Sequence, residues 1–114
     1  MSKYGNNAEI TGSLNVDGEI DLGSGDDTIY MDGPDDTLVV DGPNNRVGIG
    51  THSPVAGTIL EISSSNAGLL LPRVLSSNKP TASSALNGLM LYEEDTHRLK
   101  IVANGEWQTI SYEH

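Results

Sequence analysis

Asp26-Asp27-Thr28-Ile29-Tyr30-Met31-Asp32-Gly33-Pro34, Asp35-Asp36-Thr37-Leu38-Val39-Val40-Asp41-Gly42-Pro43, Asn44-Asn45-Arg46-Val47-Gly48-Ile49-Gly50: this stretch is a nine-residue unit written three times. Acids or amides lead each copy, an apolar triplet follows, and a turn closes it. A strand places alternate side chains on one face. Ile29/Met31, Leu38/Val40 and Val47/Ile49 are therefore expected to point inward, and Tyr30, Val39 and Gly48 outward. Asp-Gly-Pro is turn chemistry, with glycine free to take positive φ and proline fixing its own. A short fixed period marks a repeat architecture.

The pattern extends upstream in looser form. Ile20 and Leu22 lie nine positions before Ile29 and Met31, and Leu14 and Val16 alternate in the same way, so strands are expected there too. Two apolar side chains per nine ordered residues do not offset the entropy of ordering a lone chain. Three chains around one axis would share a continuous core and leave no strand edge open. The expected trimer core is Leu14, Val16, Ile20, Leu22, Ile29, Met31, Leu38, Val40, Val47 and Ile49.

Composition points the same way. The chain has 114 residues, 13 glycines, one Trp, four Tyr, and neither Phe nor Cys. A core this poor needs a metal or partner subunits, because disulfides are excluded. The formal net charge is −10, which argues against nucleic acid or anionic membrane as partner. No apolar run approaches membrane-span length and no signal peptide is legible, so membrane insertion is not expected. Ten of the 16 acids precede Asn44, and five of the six basic residues follow Pro43. The expected organisation is a flexible arm over 1–9, an acidic repetitive stem over 10–54, and a C-terminal β module over 55–114 that caps and registers the stem.

Within the module, Thr51–Gly57 reads as a bend around Pro54. Thr58–Ile62 reads as a strand, and 67–74 as an apolar strand ending at Pro72. A helical turn is expected between Pro80 and Leu86, closed by Asn87-Gly88. Leu89–Tyr92, Arg98–Val102 and Trp107–Ile110 form a three-stranded meander, with Asn104-Gly105 a strong hairpin signal.

Two stretches carry a family resemblance. Asn45-Arg46-Val47-Gly48-Ile49-Gly50-Thr51-His52-Ser53-Pro54 looks like the "VGIGTxSP" joint of tail-fibre and tail-spike proteins of tailed bacteriophages. Ala67-Gly68-Leu69-Leu70-Leu71-Pro72-Arg73, then Asn87-Gly88-Leu89-Met90-Leu91-Tyr92, then Gly105-Glu106-Trp107, is similar to the "GLLLPR…NGLLIYN…NGxW" pattern of phage fibres. The resemblance implies a homotrimeric β-structured fibre or spike on a virion surface. Phage fibres usually carry a large tip or a C-terminal chaperone, and this chain stops soon after Trp107. A short spike, a head fibre or a capsid-decoration protein is therefore expected, on capsid or tail.

The sites are weighed against blander roles. Gly23-Ser24-Gly25-Asp26-Asp27-Thr28-Ile29-Tyr30 partly fits the nonapeptide of calcium-binding β-rolls, with Asp26, Asp27, Asp35 and Asp36 as candidate ligands. The glycines do not recur at Met31-Asp32, Val40-Asp41, Pro34 and Pro43, so solvated turn acids are the expectation and no cofactor is required. His52, His97 and His114 have no metal-ligand spacing; His97 reads as a turn residue. No nucleophile elbow, triad or dinucleotide fingerprint is legible, and no enzyme activity is expected. Trp107 and Arg73 are the candidate contacts for an outside ligand, although Trp107 is expected to pack over the meander and Arg73 to pair with a neighbouring chain's acid.

The sequence therefore predicts an all-β protein: an intertwined homotrimeric β-helix or β-prism stem followed by a small antiparallel β module. Its expected partners are further copies of itself and other virion proteins, the latter through residues 1–9. The alternatives are an adhesin tip that binds a host receptor or surface glycan, and a calcium-binding β-roll.

Overall fold

The computed structural model describes residues 8–23, 27–31 and 36–111. The chain forms two compact units, Met1–Ser64 and Ser65–His114. The described residues contain eight β-strands, two short 3-10 turns and no α-helix. None of them belongs to a helix long and apolar enough to cross a membrane.

In the first unit, the strands β1 (Thr28–Met31), β2 (Leu38–Asp41), β3 (Arg46–Ile49) and β4 (Leu60–Ile62) lie side by side in sequence order. β1, β2 and β3 are antiparallel neighbours, and β4 joins β3 in parallel. The nine-residue repeat is thus a meander of strands that reverse direction at each turn. The β-helix alternative would instead have stacked successive units as parallel coils, and the described residues show none.

The second turn shows why the repeat reverses. The Asp41 carboxylate accepts from the backbone N–H and side-chain amide of Asn44, at 3.3 and 2.9 Å, and Asn45 takes the left-handed position at φ 56°. That position was expected of Gly42. Gly42 is instead required by close approach: its N–H donates to the Asp27 carbonyl at 2.9 Å, and a Cβ there would lie 2.1 Å from that oxygen. The first Asp-Gly-Pro turn falls outside the described residues.

Two expectations are corrected. Leu14–Val16 and Ile20–Leu22 are not strands: residues 8–23 have no sheet partner among the described residues and are exposed throughout. Alternation selects a face, but a strand also needs a neighbour to receive its ladder. Second, Val39 is not outward in the sense of solvated; it is 1% exposed. The 51–57 loop folds back over that side of the sheet, burying Pro54 so closely that a Cβ on Gly48 would meet its Cγ at 2.8 Å. The Arg46 guanidinium donates to the Pro54 carbonyl at 3.2 Å, and the Glu61 carboxylate accepts from the Val55 N–H at 2.8 Å.

The loop leaves the sheet through Gly50, at φ 78°, where an added Cβ would lie 2.2 Å from the Ser63 carbonyl oxygen. Gly50→Ala meets both a left-handed backbone and a backbone clash, and is expected to cost at least ~3 kcal/mol. Gly68→Ala, with open space around its Cβ, should stay within about 0.5 kcal/mol of the parent. Urea titration of the two variants measures the difference.

The second unit holds β5 (Arg73–Val74), β6 (Met90–Glu93), β7 (Arg98–Ala103) and β8 (Glu106–Thr109) in one sheet, in that order. β5 is parallel to β6, and β6–β7–β8 is the expected antiparallel meander. Asn104 and Gly105 both take positive φ, 53° and 76°, as a tight hairpin demands. His97 is a turn residue at φ 58°. The strand expected to end at Pro72 begins after it, at Arg73. The helical turn is short, Ser84–Leu86, and a second turn, Ser76–Asn78, precedes it.

Candidate functional site

Among the described residues, each sheet has one face covered by its own chain and one face left open. In the first sheet, register fixes the faces. Ile29 opposes Val40, which opposes Val47, which opposes Leu60. One row along, Met31 opposes Leu38, and Ile49 opposes Ile62. Directly opposed residues share a face, so these eight side chains form one wholly apolar surface. Ile29, Met31, Ile49, Leu60 and Ile62 are exposed and Leu38, Val40 and Val47 half-buried. The six expected core residues of the repeat lie together on this face. Leu60 and Ile62 complete it and were missed, because parallel pairing of β4 with β3 leaves no sequence signal. Leu14, Val16, Ile20 and Leu22 are exposed in the segment without strands.

The other face of this sheet carries Val39, Gly48, Glu61 and Tyr30. The Tyr30 and His52 rings stack at 5.1 Å with 9° between planes. His52 Nδ1 lies 2.6 Å from Asp36 Oδ2. This engages one of the four calcium candidates; Asp26 and Asp35 lie outside the described residues. Among the described residues, no three His, Asp or Glu side chains gather as metal ligands.

In the second sheet, Leu91, Glu93 and Val102 share the covered face and are buried, at 4, 3 and 1% exposure. The 75–88 segment lies over them. Its Lys79 ammonium reaches the Glu93 carboxylate and sits 5.1 Å above the Trp107 ring. The indole N–H donates to the Pro80 carbonyl at 2.9 Å. Trp107 is thereby tied into the unit at its only polar atom. The Asp95 carboxylate accepts from the Ser76 N–H and hydroxyl at 2.8 and 2.6 Å, and Asn87 Oδ1 accepts from the Gly105 N–H at 2.8 Å. Sequence reading missed the Lys79–Glu93 pair, but one signal was available. Glu93 has the parity of Leu91, so a carboxylate was due on a covered face and needed a cation.

Two carboxyls are shifted. Hydrogen bonding to Lys79 and then to Thr96 lowers the Glu93 pKa; hydrogen bonding to the Ser76 hydroxyl and then its N–H lowers that of Asp95. A folded pKa below the unfolded value stabilises the unit above the unfolded value and is lost as pH falls through the folded one. With ordinary carboxylates near 4, the second unit should melt alike at pH 7 and 5.5 and at clearly lower temperature at pH 3. Glu93→Gln should flatten that acid limb in a series of melts.

The open face of the second sheet carries Arg73, Tyr92 and Leu99 in one row, Met90, Ile101 and Gln108 in the next, and Ala103 with Glu106 at its end. Ile110 extends the first row, its N–H bonded to the Leu99 carbonyl at 2.8 Å. Leu69 and Leu70 stand 65 and 73% exposed beside it. Leu69, Leu70, Leu71, Arg73 and Tyr92 line a shallow cavity of about 240 Å³.

Open apolar sheet faces backed by well-packed loops define a self-associating structural β protein. A family model, the phage tail-like trimerisation region, matches residues 48–113, more than half of the chain. The chain belongs to that family, a structural one with no catalytic domain. Comparisons with curated proteins and with solved structures gave no match. The whole open face of the second sheet lies inside the matched residues, the region through which three chains associate.

Proposed function

We propose that this chain is a short homotrimeric spike, fibre or decoration protein on the surface of a tailed-phage particle. The observation that carries this reading is the apolar, uncovered face of Met90, Tyr92, Leu99, Ile101 and Ile110 within a phage tail-like trimerisation region. Its work is mechanical: three chains bury the open faces of their second sheets against one another and present acidic turns to solvent, which keeps neighbouring spikes apart. Residues 1–9 lie outside the matched region, and on this reading they dock the trimer to other virion proteins.

Native mass spectrometry of the full chain should give three copies and no monomer at micromolar concentration. A homogeneous folded monomer would end the proposal. Labelled antibody against the chain should decorate the outside of intact particles, and deletion of residues 1–9 should yield soluble trimer that particles no longer carry.

A further inference from the structure

The family match begins at Gly48, yet the first sheet continues on the other side of that boundary with the same chemistry. Ile49, Leu60 and Ile62 lie inside the match; Ile29, Leu38 and Val40 lie outside it. All belong to the two apolar rows described above, and no polar side chain interrupts them. We infer that the open face of the first sheet is a second self-association surface, covered by the same face of the other two chains in the trimer. This rests on the trimeric reading and extends it into the N-terminal half.

Three observations select further copies of this chain as the occupant. The face is continuous with a region already assigned to trimerisation. Three chains held through the second unit also bring their first units together at an effective concentration on the order of millimolar, far above that of a free partner. Finally, charge leaves few ways for two acidic copies to meet. Asp36, Asp41 and Glu61 lie away from the rows, and the rows are uncharged. Contact there avoids like-charge repulsion, whereas contact through the turns does not. The opposite face is unavailable, since the 51–57 loop covers it.

The chain contains no cysteine, so a single introduced thiol reports on one position. Spin labels are attached to the full-length Ile49→Cys, Ile62→Cys, Ile59→Cys and Met90→Cys variants, and inter-label distances are measured by pulsed electron resonance. Ile59 is 79% exposed and follows the parity of the covered side. Facing sheets pack about 10 Å apart, so labels between them should fall within ~20 Å of one another. Short distances are expected at Ile49 and Ile62 and clearly longer ones at Ile59; two separate variants on the face guard against one label disturbing the fold. Short distances at Met90 with Ile49 and Ile62 as far apart as Ile59 would overturn this inference and leave the proposed trimer standing. A different virion protein on the face would give that same pattern. Short distances at Ile49 and Ile62 alone would uphold the second surface and sink the role given to the Met90 face. Short distances nowhere would overturn both.

Discussion

Met90→Asp should convert the trimer to monomer at concentrations where the parent is wholly assembled. Met90 opposes Ile101 at the centre of the second sheet's open face and is 38% exposed in the single chain. The aspartate is harmless to that chain, because at this exposure it stays hydrated. In the assembly the same carboxylate is buried in a row whose other members, Ile101 and Gln108, carry no charge, in three copies at once. An unpaired buried charge costs at least ~3 kcal/mol per copy, roughly a hundredfold in the association constant for each. Thr109→Asp is the control. Its side chain points the other way, where Lys100 already donates to the threonine hydroxyl at 2.6 Å and would meet the new carboxylate as an ion pair. Sedimentation velocity should find the first variant monomeric and folded by circular dichroism, and the second trimeric. A trimeric Met90→Asp protein would show that the chains meet elsewhere.

What could be read from the sequence, and what could not, divides along one physical line. Local chemistry was legible. Asn104-Gly105 announced its hairpin because few other residue pairs take two positive φ values cheaply, and the apolar runs Leu89–Tyr92, Arg98–Val102 and Trp107–Ile110 marked the meander on either side of their turns. The grouping of Ile29, Met31, Leu38, Val40, Val47 and Ile49 on one face follows from the period of two and survives in the sheet. Long-range choices were not legible. Nothing between Gly50 and Leu60 says that β4 returns beside β3, or that Pro54 lands on Gly48. The second of these reverses the meaning of Val39. The face opposite the apolar rows is covered by a loop of the same chain, and periodicity cannot tell a loop from water. The upstream segment shows the converse limit. Leu14, Val16, Ile20 and Leu22 carry the right pattern, but their backbone groups find no ladder among the described residues.

Val39 therefore separates the two kinds of burial. Val39→Asp should unfold the first unit whatever the state of assembly. The side chain is 1% exposed, between Tyr30 and Gly48 in register, and a carboxylate there loses its water without gaining a partner. That penalty is about 4 kcal/mol or more, a large share of the stability of any small domain. Leu38→Asp, one residue away, meets the opposite environment. It sits half-buried on the open face, so a dissociated chain should hold its first sheet, and the loss should appear only when copies associate. Hydrogen exchange read peptide by peptide distinguishes the two. In Val39→Asp, amides of β1 to β4 should exchange at unfolded rates while those of β6 to β8 keep their protection. In Leu38→Asp, protection of β2 and β3 should fall to the level of a dissociated parent chain and no further. Equal loss of protection in both variants would mean that the sheet cannot stand without its neighbours, and that its two faces are buried only as one event.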